Sequence, residues 1–215
     1  MIFFDLDGTL LDSNGVWLEI DIAFLGALGI DPIPPEYTHY VTHNSFNASA
    51  RYTRDTYAPH MSTTQIVRAW QDMARDHYTH HLPLKPGARQ LLETLKAQGE
   101  RLGLLTSCMP SLALPALERH RLLHLFDALH FSHLIGVEKS APSLYHTISR
   151  RHGLSDAHCV LVDDSPDYLA AAKQAGWQVW GVQDSLFDHR ADEMSTLCSS
   201  GRYLDSLLSH SALHI

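Results

Sequence analysis

Five short apolar runs, Met1 to Phe4, Leu102 to Leu105, Ala128 to Phe131, Cys159 to Val162 and Val179 to Val182, punctuate this chain. Between them lie stretches of helical periodicity. Pro86 to Gln98 stops at Gly99, Pro142 to His152 stops at Gly153, and Pro166 to Ala175 stops at Gly176. Proline fits the first helical position and glycine the residue past the last, so each stretch carries its own start and stop. Continuous apolar runs between helices read as strands buried on both faces, which predicts an α/β fold of three layers with a parallel sheet in the middle.

One region breaks the alternation. From Gly15 to about Leu82 no strand is readable, while Trp17, Ile20, Phe24, Ala27 and Leu28 share one helical face, as do Ile66, Trp70 and Met73. Nearly seventy residues far exceeds an ordinary connection, so the segment reads as an inserted α-helical domain. The expected division is residues 1–14 and 84–215 as core, with 15–83 as insert.

The chain of 215 residues is 45% hydrophobic, enough to bury a core of its own. With 24 acids against 16 Lys and Arg, a net charge of -8 and no basic block, a nucleic-acid surface is not expected. No apolar span approaches a membrane helix, and acids interrupt the first run too early for a secretory signal. Cys108, Cys159 and Cys198 show no paired spacing, which points to a reducing, cytoplasmic setting. The histidine pairs His39/His43, His77/His81 and His120/His124 have i,i+4 spacing but no accompanying third ligand, and read as scattered side chains. The expected assembly is a monomer or weak dimer.

In an open α/β sheet ligands bind beyond the carboxyl ends of the strands, so the residues that follow the runs belong together. The first run delivers Asp5 and Asp7 with Gly8 and Thr9, the second Thr106 and Ser107, and the fourth Asp163 and Asp164; Lys139 follows the third. Four acids at one edge repel unless a divalent cation with oxygen ligands, most naturally Mg²⁺, joins them. A lysine and two hydroxyls beside that cation suit a phosphate dianion, and so a small phosphorylated metabolite. Asp5 is placed to attack phosphorus, and Asp7, on the same side of an extended chain, to exchange protons with the leaving oxygen and with water. In the insert, His43, Asn44, Arg51 and Arg54 are the candidates for a second polar or anionic group of the substrate.

Taken in chain order, DLDGTLLDS, LLTS, GVEKSAP and VLVDDSP resemble the four motifs of the haloacid dehalogenase superfamily. A helical insert directly after the first motif is similar to the small cap of phosphoglycolate phosphatases and β-phosphoglucomutases. The resemblance implies a Rossmann-like core and a Mg²⁺-dependent phosphatase of small organic monoesters that works through an aspartyl-phosphate. By that resemblance Asp5 is nucleophile and metal ligand, and Asp7 the acid/base with its carbonyl on the metal. Thr106 and Lys139 would then hold the phosphoryl oxygens, and Asp164 would be the third metal ligand. Asp7 also favours phosphate chemistry over dehalogenation.

Two departures from the motifs are visible. The third reads Lys139-Ser140-Ala141-Pro142 in place of the common KPDP, and Tyr168 stands where many relatives carry a further acid, four residues after Asp164. Asp163 or Asp167 is then the candidate for that acid's outer role. Three other readings are weighed. A mutase of the β-phosphoglucomutase type usually has a histidine soon after the first motif, and none lies between Asp12 and Glu19. A phospho-acceptor signalling domain would carry its acid pair and acceptor on different strands, without the insert. A catalytically silent binding module would have lost reactive residues that are all retained here.

Overall fold

A computed structural model of the chain describes residues 1–44, 46–198, 203, 204 and 207. In chain order the elements are β1 (Ile2–Phe4), α1 (Asn14–Ala27), α2 (Pro35–His43), α3 (Phe46–Thr56), α4 (Thr63–Asp76), α5 (Ala88–Ala97), β2 (Leu102–Thr106), α6 (Pro110–Arg119) and β3 (Ala128–Phe131). They continue with α7 (Ser132–Ile135), α8 (Pro142–Arg151), β4 (Val160–Asp163), α9 (Pro166–Gln174), β5 (Gln178–Val182), α10 (Ala191–Leu197) and β6 (Tyr203–Leu204). Two compact units result, residues 1–12 with the chain from Pro83 onward, and Ser13–Leu82.

The first unit is built on one parallel sheet in the order β3-β2-β1-β4-β5-β6. Ile2 pairs with Leu102 on one side and with Val160 on the other, so β1 is central and every residue of β1, β2 and β4 is buried. Chain order reverses about β1, and at such a switch point the strand ends open into a crevice. The α/β reading of the runs is thereby met, and β6 is an addition that no apolar run announced. Pro142 and Pro166 occupy the first turns of α8 and α9, whereas Pro86 precedes α5, which begins at Ala88 after Gly87. Phe3, Tyr145, Ile148, Leu161, Leu169 and Trp177 form the centre of one large buried cluster. Gly103 is there because a Cβ would lie 2.5 Å from Cδ1 of the fully buried Phe3.

In the second unit, α1 buries Ile20, Phe24 and Leu25. The sequence face differs in one place: Ala27 is exposed and Leu25 takes its share of the interior. Phe24 and Phe46 both meet Trp70 edge-on, and Trp17 Nε1 donates to Tyr78 Oη at 3.0 Å. Ser62 and Gln65 cap α4 reciprocally, and this fixes where it begins.

A half-buried acid lies within this helical unit. Tyr37 Oη donates to Asp21 Oδ1 at 2.8 Å, and burial pushes the Asp21 carboxyl from 3.8 up to about 6, with the Tyr37 hydrogen bond opposing. An acid raised in this way favours the folded state while protonated, so that contribution is full below pH 3.8 and is lost as the pH rises through about 6. Asp21→Asn keeps an oxygen acceptor for Tyr37 and is expected to raise stability near pH 8 by up to about 3 kcal/mol. Urea denaturation across this range checks it. A variant no more stable than the parent at the higher pH would remove the argument.

Candidate active site

The crevice at the end of β1 gathers most of the strand-end residues. Asp5 directly follows β1, and its amide donates to Val162 O of β4 at 2.9 Å, which sets it against Asp163 and Asp164. Carboxylate oxygens of Asp5, Asp163 and Asp164 lie within 4.8 Å of one another, and all three residues are buried. Among the described residues this is the one cluster of three or more such ligands close enough to share an ion. Lys139, 1% exposed, reaches in from the turn between α7 and α8. Its Nζ donates to Asp163 Oδ2 at 2.6 Å and lies 2.8 Å from Asp5 Oδ1, the latter without hydrogen-bond geometry.

The electrostatics follow from that count of charges. Burial opposes the Lys139 ammonium, but Asp163 and Asp5 beside it outweigh burial and hold it firmly protonated. Burial pushes Asp163 up to about 7 against the pull of Lys139. Asp164 is raised well above the carboxylate range, by burial first and then by Asp163, Asp5 and Asp184. One lysine cannot balance three buried acids, so the site either keeps protons or accepts a cation. The donors are all carboxylate oxygens, and a buried Asp5 oxygen receives no hydrogen bond, which suits a hard divalent ion.

Asp163 and Asp164 hold different partners despite being neighbours. Asp163 accepts from the Ser165 amide at 2.9 Å on one oxygen and from Lys139 on the other, so it is the lysine's counter-ion. Asp164 Oδ1 accepts from Thr9 Oγ1 at 2.9 Å. Thr106 is buried at the end of β2, where its Oγ1 accepts from the Cys108 amide at 3.1 Å. Ser107 Oγ accepts from Ser132 Oγ at 3.2 Å.

The remaining candidates are placed elsewhere. Asp7 is half-buried in the turn after β1, paired in a short bridge with Leu11, and stands outside the three-acid cluster. Asp167 does not join the cluster either: its Oδ1 accepts from Arg190 Nη2 at 2.9 Å, as befits an acid in the first turn of α9. In the helical unit, Asn44 is exposed and donates to Tyr40 O, and Arg51 is exposed on α3. Arg54 is engaged by Asp55 and Thr63. The side chain of His43 lies outside the described residues.

Four contributors were given no role from the sequence. Thr9 orients Asp164, Tyr145 Oη donates to Lys139 O at 2.7 Å, and Tyr168 lies under Lys139 with 4.6 Å from Nζ to the ring centroid. Asp184 follows β5, adds its charge to Asp164 and is paired with Lys85 Nζ at 2.5 Å. The rule of inspecting strand ends, extended to the fifth run, reaches Asp184. Nothing local marks Tyr145.

No helix among the described residues is long and apolar enough to cross a membrane. Residues 2–182 match the sequence model of the haloacid dehalogenase-like hydrolases. The phosphoglycolate phosphatase of Aliivibrio fischeri is 29% identical over 184 residues, 82% of this chain and 80% of that protein. The phosphorylated carbohydrates phosphatase of Thermotoga maritima is 25% identical, with 88% of each chain covered. In fold, CbbY from Rhodobacter sphaeroides, solved with phosphate, superimposes with a TM-score of 0.80 at 22% identity, over 97% of this chain and 95% of that one.

Proposed function

This chain belongs to the haloacid dehalogenase-like hydrolases, and from that membership and the geometry above we propose that it is a Mg²⁺-dependent phosphatase of small organic phosphate monoesters. The observation that carries the reading is the buried set of Asp5, Asp163 and Asp164 around a single lysine. Relatives named as phosphatases of phosphoglycolate and of phosphorylated carbohydrates support the substrate class. The three cysteines are buried thiols, which supports a reducing compartment and a cytoplasmic setting. We assign the chemistry to the sheet-bearing unit, and substrate choice to the helical unit Ser13–Leu82 as its cap.

In this proposal Asp5 and Asp164, with the Asp7 carbonyl, hold the metal, and Thr9 keeps Asp164 oriented. The bound cation supplies charge neutralisation for a phosphoryl dianion among carboxylates. Asp5 attacks phosphorus and forms an aspartyl-phosphate, so that one difficult transfer becomes two easier ones. Thr106, Ser107 and Lys139 bind the phosphoryl oxygens, and Lys139 also screens the charge of Asp5. Asp7 protonates the departing alkoxide and then takes a proton from the water that hydrolyses the acyl-phosphate.

Release of phosphate from an aryl phosphate is the test. Chelator is expected to abolish turnover, Mg²⁺ to restore it, and Ca²⁺ to fail, because Ca²⁺ takes more ligands at longer distances than this compact site provides. Equal turnover with either ion, or with neither, would overturn the proposal.

A further inference from the structure

Tyr168 occupies the third residue of α9, and its ring face is turned to the ammonium of Lys139 at 4.6 Å. The same ammonium has Asp163 Oδ2 at 2.6 Å and Asp5 Oδ1 at 2.8 Å. Two carboxylates and one aromatic face thus surround a lysine that is 1% exposed. Backbone contacts hold the two residues in register. Tyr145 Oη lies 2.7 Å from Lys139 O and 3.1 Å from Tyr168 O, so one fully buried phenol joins the lysine's turn to the first turn of α9. At its other end the Tyr168 phenol is in hydrogen-bonding reach of the Ser107 side chain, itself bonded by Ser132.

We propose that Tyr168 is a positioning residue for Lys139, its ring face holding the ammonium in place for the phosphoryl group. This rests on the reading of Lys139 as a phosphate-binding cation. The physical case is the charge count. A carboxylate at 168 would add a fourth negative charge to a cluster with one lysine, and would compete for that lysine as the dianion arrives. An aromatic face attracts the ammonium through its quadrupole and accepts no metal, so it steadies Lys139 without that competition. The attraction is strongest where water is excluded, as it is here.

Binding of inorganic phosphate to the Mg²⁺-loaded protein, measured by calorimetry, separates the possibilities. Tyr168→Leu is expected to weaken phosphate by about 5- to 30-fold, and Tyr168→Phe to stay within about twofold of the parent, since the face is kept. In the ester assay the Leu variant should show a raised KM that Phe restores. Because Leu alters packing, phenylalanine and its progressively fluorinated analogues at 168 provide a series of nearly constant shape. Phosphate affinity should fall stepwise as fluorine drains the ring face. A flat fluorine series, or a Phe variant as weak as Leu, would overturn the positioning role. Lys139→Gln is the control for the premise: if it binds phosphate like the parent, the reading of Lys139 falls, whatever Tyr168 does.

Discussion

Asp5→Asn is expected to lower turnover of a phosphate monoester by about 10⁴- to 10⁶-fold, since an amide cannot attack phosphorus and the steps of a covalent route fail together. The substitution is nearly isosteric at a residue 5% exposed, and it removes one of three clustered buried acids beside a single lysine. The fold should therefore survive, and in the absence of Mg²⁺ the variant should melt no lower than the parent. Two measurements decide it: steady-state phosphate release, and acid trapping of phosphoenzyme from a labelled ester. Wild-type release, or label trapped on the variant, would sink the covalent role of Asp5.

Asp7→Asn is expected to lower turnover by about 10²- to 10⁴-fold and to leave Mg²⁺ affinity near that of the parent. Asp7 stands outside the buried carboxylate cluster, half-exposed in the turn after β1, as a group that trades protons with water should. Its proposed link to the metal is a main-chain carbonyl, which asparagine preserves. Esters with good leaving groups should be less affected, because an aryl oxide departs with less protonation than a sugar alkoxide. Calorimetric Mg²⁺ titration and rates on both ester types test this. A large loss of metal affinity with unchanged turnover at saturating Mg²⁺ would make Asp7 a side-chain ligand.

Much of the sheet was legible because a strand buried on both faces leaves no alternation, only a short apolar run, and β1, β2 and β4 are of that kind. The helices between them were marked by Pro142 and Pro166 at entry. Where those signals fail, so does the reading. Helix α6 carries Pro115 in its interior, against the usual cost of proline there, and went unread; β6 has two residues and no apolar run. The acid cluster was legible because its members stand at strand ends, at Asp5, Asp163 and Asp164. The candidate site was illegible where tertiary packing decides. Asp167 and Tyr168 are adjacent in sequence, yet the turn of α9 sends the acid to Arg190 and the ring to Lys139. No spacing rule separates them. Likewise, Arg54 carries a charge that could meet a substrate, but Asp55 at 2.6 Å already engages it.

The hydrogen bond from Thr9 to Asp164 spans 155 residues, and it sets a timetable for biosynthesis. At about 5–20 residues per second, a ribosome needs roughly 8–30 s to travel from one partner to the other. During that interval β1 has left the tunnel without β4, the neighbour whose strand end supplies two of the three clustered acids. The helical unit is compact and contiguous in sequence, so all of its residues are made while β1 waits. A nascent chain stalled before β4 would carry every residue of the helical unit, and Asp5 with neither Asp164 nor Asp163, the counter-ion of Lys139. Phosphatase activity therefore reports a chain translated past its fourth strand.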